Sequence, residues 1–228
     1  MSGSTAAYPR ATRGGQLSDE LFAALFEGQS LERKAGGESL FIQDDPSARV
    51  FGVVSGAVEI SLYSADGRKI VANVETPSSL VGEIGALDGG LRTASATCIG
   101  DCKVYSLSRA QFLDRIGSDP KLAFAMIAML CARIRWISGE FGDQILLKFD
   151  ARLAKRLIFL SFGFAGADGW VSISQTELAN FLGTTRESVN KTLNQWRQHG
   201  FIDIRRGGIR VIDASALRAA VFRTGAQG

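Results

Sequence analysis

The sequence predicts an α+β chain in three parts. These are an antiparallel β-sandwich or barrel, one long helix, and a small helical domain closed by a β-hairpin. Three observations carry this reading. Short apolar runs separated by Gly or Asp turns recur between Ser39 and Leu107. The segment from Lys121 to Lys148 holds no proline and is apolar on more than one side. Residues Ser174 to Gly200 read as two short helices around a turn at Gly183, with two apolar strands following.

The elements follow in order. Residues 1–16 are small and polar without a period, and read as a disordered arm. Leu17–Phe26 fits a short amphipathic helix capped by Ser18, with Leu21, Phe22, Leu25 and Phe26 on one face. The apolar runs SLFI, RVFGVV, AVEISLYS, KIVANV, ASATCI and KVYSL then alternate with turn signals. Those signals include Ser55-Gly56, Asp66-Gly67, Asp88-Gly89-Gly90 and Gly100-Asp101. Ser108–Ile116 is a short helix, and Pro120 sits where the next helix can begin. As one helix, Lys121–Lys148 spans ~42 Å. Its apolar stripe includes Leu122, Met126, Met129, Ile134, Ile137, Phe141, Ile145 and Leu146. Such a helix needs both its own domain and a second partner, and a symmetric homodimer is the simplest. Asp150 caps a further helix, Ala151–Phe162, and GFAGADG is a loop. The expected parts are 1–16 (arm), 17–120 (β-rich domain), 121–149 (dimerisation helix and hinge) and 150–228 (helical domain).

Composition narrows the function classes. With 46% hydrophobic and 21% charged residues in 228, the chain has enough apolar side chain for a core in each domain. Three cysteines, Cys98, Cys102 and Cys131, are too few and too scattered for a disulfide framework. They read as core or surface thiols. No basic–apolar–small signal opens the chain, so a cytoplasmic location and no membrane span are expected. The longest helical apolar run, Leu122–Ala132, falls short of the roughly 20 residues a span requires. The single histidine, His199, excludes two-histidine metal sites, and no acid–base pair or nucleophile motif suggests an enzyme. Charge is uneven. Residues 150–228 hold 11 Arg and Lys against 6 Asp and Glu, whereas residues 1–149 hold 15 against 17. A basic C-terminal part suits nucleic acid.

Within the β-rich part, VGEIGALDGGLRTA (Val81–Ala94) is the most informative segment. Glu83 and Arg92 lie across a glycine-rich loop, and Gly82 permits close backbone approach. An Arg with hydroxyl and N–H neighbours suits a phosphate, and a carboxylate can accept from a ribose hydroxyl. A Glu–Arg salt bridge across a turn would use the same residues. The pattern G-E-hydrophobic followed by R-T-A resembles the phosphate-binding cassette of cyclic-nucleotide-binding domains. That resemblance implies Gly82, Glu83, Ile84, Arg92, Thr93 and Ala94 as ligand residues, with Glu83 on the ribose 2′-OH and Arg92 with Thr93 on the cyclic phosphate. It also makes Arg92→Leu a loss of ligand response that leaves the fold intact. Asn73 and Glu75 lie on a strand near the same pocket, where relatives are commonly less polar.

In SQTELANFLGTTRESVNKTLNQWRQHG, Ser174 and Glu177 form a capping box. Ala179, Gly183 and Val189 are spaced as a helix-turn-helix requires. Thr184 or Thr185 caps the second helix, whose polar side opens with Arg186, Glu187, Ser188, Asn190 and Lys191. Ile202–Ile204 and Ile209–Ile212, joined by Arg205-Arg206-Gly207-Gly208, form a basic hairpin, the wing of a winged helix. With the second helix in the major groove, Arg186 can read guanine and Glu187 can accept from cytosine. Thr185, Ser188, Arg205 and Arg206 suit phosphate.

Cassette, long helix and winged helix together resemble the Crp/Fnr family of bacterial regulators over roughly residues 17–213. The resemblance implies a jelly-roll β-roll (double-stranded β-helix), a dimerisation helix and a winged helix-turn-helix. It implies no cofactor but an allosteric cyclic nucleotide, cyclic AMP ahead of cyclic GMP, with Arg133 near the Glu83 cluster and Ser138 near the base. The implied partners are double-stranded DNA with a TGTGA-like half-site, a second copy of the chain, and RNA polymerase. Gln175 joins the DNA residues on the same ground.

Overall fold

The computed structural model describes residues 16–67, 69–163, 165–166 and 168–222. Nearly all of the expected N-terminal arm lies outside these residues. The chain forms two compact units, one ending at Ser138 and the other starting at Gly139.

The first unit opens with α1 (Asp19–Leu25), whose first turn is capped by the Ser18 hydroxyl accepting from the Leu21 N–H. Strands β1 (Glu32–Lys34), β2 (Ser39–Phe41), β3 (Arg49–Tyr63) and β4 (Lys69–Glu75) follow. Then come β5 (Leu80–Val81), helix α2 (Glu83–Asp88), β6 (Ser95–Ser108), α3 (Arg109–Ser118) and α4 (Pro120–Leu146). The six strands make one antiparallel sheet ordered β1-β6-β3-β4, with β2 on β6 and β5 on β3. Ser108 and Gln111 form a capping box at the start of α3.

Two expected turns are not turns. RVFGVV and AVEISLYS are one 15-residue strand, and ASATCI and KVYSL are one 14-residue strand. Ser55-Gly56 and Gly100-Asp101 are instead where the β3–β6 register shifts, between Val53, Ser55 and Ala57. Bulges let a long strand bend without ending. Gly56 has φ +85°, and a Cβ there would lie 2.7 Å from both the Asp101 carbonyl oxygen and Cys102 Sγ. No other residue fits that bend. By contrast, Asp66-Gly67 is a true hairpin turn, with Tyr63 opposite Lys69. Strand β1 has no apolar alternation to announce it and is held by pairing Glu32–Lys34 with Val104–Cys102.

Phe51, Val53, Val58, Val81, Ala96 and Val104 fill the inside of the roll. A second cluster joins Phe22, Leu25, Val50, Leu107 and Phe112 to Leu122, Met126 and Met129 of α4. Of the wide apolar stripe, Met126 and Met129 therefore face their own domain's core. The outward apolar face of α4 is Phe124 (73% exposed), Ile127 (58%), Ile134 and Ile137. By length and composition α4 is the one described helix apolar enough to cross a membrane. Polar residues interrupt the helix without lowering its mean hydropathy much, so no long apolar run marks it in the sequence.

The second unit contains α5 (Phe149–Gly163), α6 (Gln175–Leu182), α7 (Arg186–Gln198), β7 (Ile202–Arg205), β8 (Gly208–Val211) and α8 (Ala214–Phe222). The helix break falls at Leu147-Lys148, so Asp150 sits in the first turn of α5 rather than capping it. There its Oδ1 accepts from the Thr192 hydroxyl at 3.3 Å, tying α5 to α7. Helix α8 had no apolar repeat strong enough to be expected. Asp213 starts it by accepting from the Ser215 and Ala216 N–H groups. The core gathers Leu153, Leu157, Leu178, Ala179, Val189, Leu193, Trp196, Ile202, Ile209 and Leu217.

Candidate functional site

In the first unit, β5 delivers the chain to Gly82, whose φ of +86° starts α2 in a left-handed conformation. A Cβ at Gly82 would collide with the Arg92 guanidinium and the Phe41 ring. Residues 83–88, expected as loop, are helical, so the Glu83 side chain is set by the first turn of α2. Glu83 is only 1% exposed and its Oε1 accepts from Nη1 of Arg133 on α4. Nη2 of the same guanidinium donates to Oε1 of Glu75 at 3.0 Å. Asn73 Nδ2 also donates to that oxygen at 3.0 Å.

Arg92 is placed by its backbone. Its N–H donates to the Asp45 carbonyl, and its own carbonyl accepts from the Asp44 N–H, each at 2.9 Å. Arg92 is 4% exposed, and its guanidinium stacks 4.0 Å from the centroid of Phe41. It donates to the Gly82 carbonyl at 2.8 Å and the Arg49 carbonyl at 2.5 Å. Burial lowers its pKa, opposed by the charges of Glu83 and Asp45. None of the described ion pairs joins Glu83 to Arg92. The cation that holds Glu83 is Arg133, fifty residues away in sequence.

The structure thus gathers Gly82, Glu83, Arg92 and Arg133 around the start of α2. Ile84 is half-buried beside them, Ala94 is buried and Thr93 is exposed. Ser138, five residues beyond Arg133 on α4, is exposed. Glu75, Asn73 and Phe41 were outside the motif. Asn73 and Glu75 share one strand face, opposite Ile60 and the buried Val58, whereas the register shift at Ala72 turns Val71 to the other face. An acid at a core position needs partners. Burial raises the Glu75 pKa, opposed mainly by Arg133, while Glu83 pushes it the same way as burial. Cys98 and Cys102 are buried and Cys131 is exposed.

In the second unit, Ser174 and Glu177 make the expected capping box, with N···O distances of 3.1 and 2.7 Å. Gly183 ends α6, and Thr185, rather than Thr184, caps α7 by accepting from the Ser188 N–H at 3.2 Å. Val189, Leu193 and Trp196 are buried. That leaves Arg186, Glu187, Asn190 and Lys191 exposed on the opposite side, with Ser188 half-buried. Gln175 of α6 donates to Asn190 Oδ1 at 3.2 Å, and Asn194 donates to the same oxygen at 3.0 Å. The wing turn is two residues, Arg206-Gly207, since Arg205 pairs with Gly208. Arg206 is exposed at its tip. Arg205 is engaged elsewhere: it lies 4.4 Å from the Trp170 ring centroid and 3.3 Å from Asp168 Oδ2. Arg210 stacks near the same ring at 5.0 Å. His199 ends α7 with Nδ1 2.7 Å from the Gln195 carbonyl oxygen.

This arrangement can hold a small anion-bearing polyol against α2 and α4, and can present a polar helix face with a basic wing to a nucleic acid. Residues 31–119 match the model of the cyclic nucleotide-binding domain, and residues 151–220 match that of the Crp-like helix-turn-helix domain. A CRP-like cAMP-activated global transcriptional regulator of Mycobacterium tuberculosis is 28% identical over 186 residues, covering 79% of this chain and 83% of its own. The cyclic AMP receptor protein of Thermus thermophilus is 29% identical over 187 residues, covering 82% and 85%. A solved structure of another Thermus thermophilus regulator of the CRP family shares the fold at TM-score 0.71 and 22% identity, covering 84% and 96%. Two matched domains in this order, joined by the long helix and shared with relatives along most of their length, place the chain in the Crp/Fnr family of DNA-binding transcription regulators with a cyclic nucleotide-binding domain.

Proposed function

We propose that the chain acts in the cytoplasm as a homodimeric regulator whose DNA binding is set by a cyclic nucleotide, cyclic AMP ahead of cyclic GMP. The buried Glu83–Arg133 pair carries this reading. It ties the start of α2 to α4, so whatever engages Glu83 acts on the long helix. On this reading Glu83 accepts from the ribose 2′-OH, and Arg92, Thr93 and the backbone at Gly82, Ile84 and Ala94 meet the phosphate. Arg133 and Ser138 extend the site along α4. A second copy covers Phe124, Ile127, Ile134 and Ile137, and lipid does not. The cation and two carboxylates around Arg133 would each carry a large desolvation cost in a bilayer. A ligand that prefers one setting of α4 shifts the dimer toward the state competent for DNA. There Arg186 reads guanine and Glu187 reads cytosine of a TGTGA-like half-site. Gln175, Thr185, Ser188, Asn190, Lys191, Arg206 and, through the wing, Arg205 position the backbone. RNA polymerase is the expected partner on the promoter.

Calorimetric titration with cyclic AMP and cyclic GMP tests this, read beside DNA binding with and without each nucleotide. Binding of neither nucleotide sinks the reading. One observation favours a second, ligand-independent mode: the Arg92 guanidinium is already held by two carbonyls and Phe41. Specific DNA binding that is equally tight with and without nucleotide would select that mode.

A further inference from the structure

Two carboxylates, Glu75 and Glu83, share the single guanidinium of Arg133. Because Nη1 serves one and Nη2 the other, the carboxylates lie side by side at the cassette. Both are nearly inaccessible to water, and Arg92, whose charge is coupled to that of Glu83, is the second buried cation of the site. The hydrogen bonds within it are unequal. Glu75 Oε1 accepts twice, from Arg133 and Asn73, both at 3.0 Å. Glu75 Oε2 is buried and makes no hydrogen bond of normal geometry, and the Ser79 hydroxyl stands near enough to favour the charged carboxylate. A buried carboxylate oxygen left bare is costly, and a donor brought to it is correspondingly favoured.

We propose that Glu75 is a specificity-determining residue of the nucleotide site, its Oε2 accepting an exocyclic N–H of the purine base. This rests on the nucleotide reading above. If Glu83 holds the ribose 2′-OH, Glu75 sits one guanidinium away from the sugar that carries the base. Guanine and hypoxanthine share an N1–H donor, and the exocyclic amine, N6 of adenine or N2 of guanine, is the donor that separates adenine and guanine from hypoxanthine. Hypoxanthine has neither amine.

The test compares wild type with Glu75→Gln, titrating cyclic AMP, cyclic GMP and cyclic IMP into each. The substitution is nearly isosteric. Arg133 and Asn73 are both donors there, so they hold the amide oxygen at the Oε1 position and turn the amide NH2 to where Oε2 was. Acceptor becomes donor with the packing kept. Wild type is expected to bind one amine-bearing nucleotide about ten- to hundredfold tighter than cyclic IMP, and Glu75→Gln to lose that gap. Which nucleotide shows the gap tells adenine from guanine. Equal weakening of all three nucleotides would leave Glu75 a mere support for Arg133 and overturn the proposal. So would a wild type that does not discriminate against cyclic IMP. A wild type binding none of the three fails the nucleotide reading itself, and this proposal with it.

Discussion

At the scale of single residues, Arg92 changes its expected behaviour once its surroundings are known. An exposed loop cation could be removed without harm to the fold. The observed guanidinium is buried, stacked on Phe41 and bonded to the carbonyls of Gly82 and Arg49. Arg92→Leu should therefore weaken nucleotide binding and also cost about 1–3 kcal/mol of stability, because two part-buried hydrogen bonds to carbonyls are lost. A urea midpoint unchanged from wild type would contradict this. Glu75 makes a second prediction. Burial raises its folded pKa above the unfolded value, so the folded state binds more protons between the two. Its contribution to stability then falls as pH rises through that window, the opposite of a salt-bridged surface acid. Unfolding midpoints followed upward from pH 4.5 should show a steeper loss for wild type than for Glu75→Gln. In the wing, Arg205 and Arg206 are adjacent yet differently employed. Arg206→Ala should weaken all DNA sequences alike and lower the salt slope by about 1. Arg186→Ala should cost about 1–3 kcal/mol at one guanine per half-site. Equal losses on specific and scrambled sites for both variants would refute the assignment of α7 as the reading helix.

At the scale of elements, α4 has two apolar faces with different work. Leu122, Met126 and Met129 close the core of the sheet domain, while Phe124 and Ile127 point away from it. Phe124→Glu or Ile127→Glu should give a folded monomer, whereas Met126→Glu should give unfolded or insoluble protein. Sedimentation beside circular dichroism separates these outcomes. A Phe124→Glu protein that stays dimeric would move the interface elsewhere. The stripe was legible in the sequence, but its division was not. Periodicity shows which residues share a face, and only the docked domain shows which face is already covered.

At the scale of the whole molecule, a two-fold dimer with one reading helix per copy demands half-sites about 34 Å apart. Adding about half a helical turn of DNA, roughly 5 base pairs, between the half-sites should remove most specific affinity, read by a gel shift at fixed salt. Undiminished binding would show that each copy reads DNA alone. The excess of Arg and Lys over Asp and Glu in residues 150–228 favours such binding through the backbone, and this part should be strongly salt-dependent.

Local signals decided what local physics decides. The Ser174–Glu177 box, the Thr185 cap, the Gly183 turn and the Asp66-Gly67 hairpin depend on residues a few positions apart, and each was readable directly. So was the cassette, whose glycine, acid and arginine follow one another within a dozen residues. Tertiary structure decided the rest, because those features are pairings across long loops. Gly56 and Gly100 carry the same composition as a turn, and only the partner strand makes them bends in continuous strands. Glu83 looked toward Arg92 in sequence, yet its partner is Arg133, brought in by α4 packing on the sheet domain. Glu75 joined the site for the same reason: a buried charge takes whichever opposite charge the fold sets beside it, and no spacing along the chain encodes which one that is.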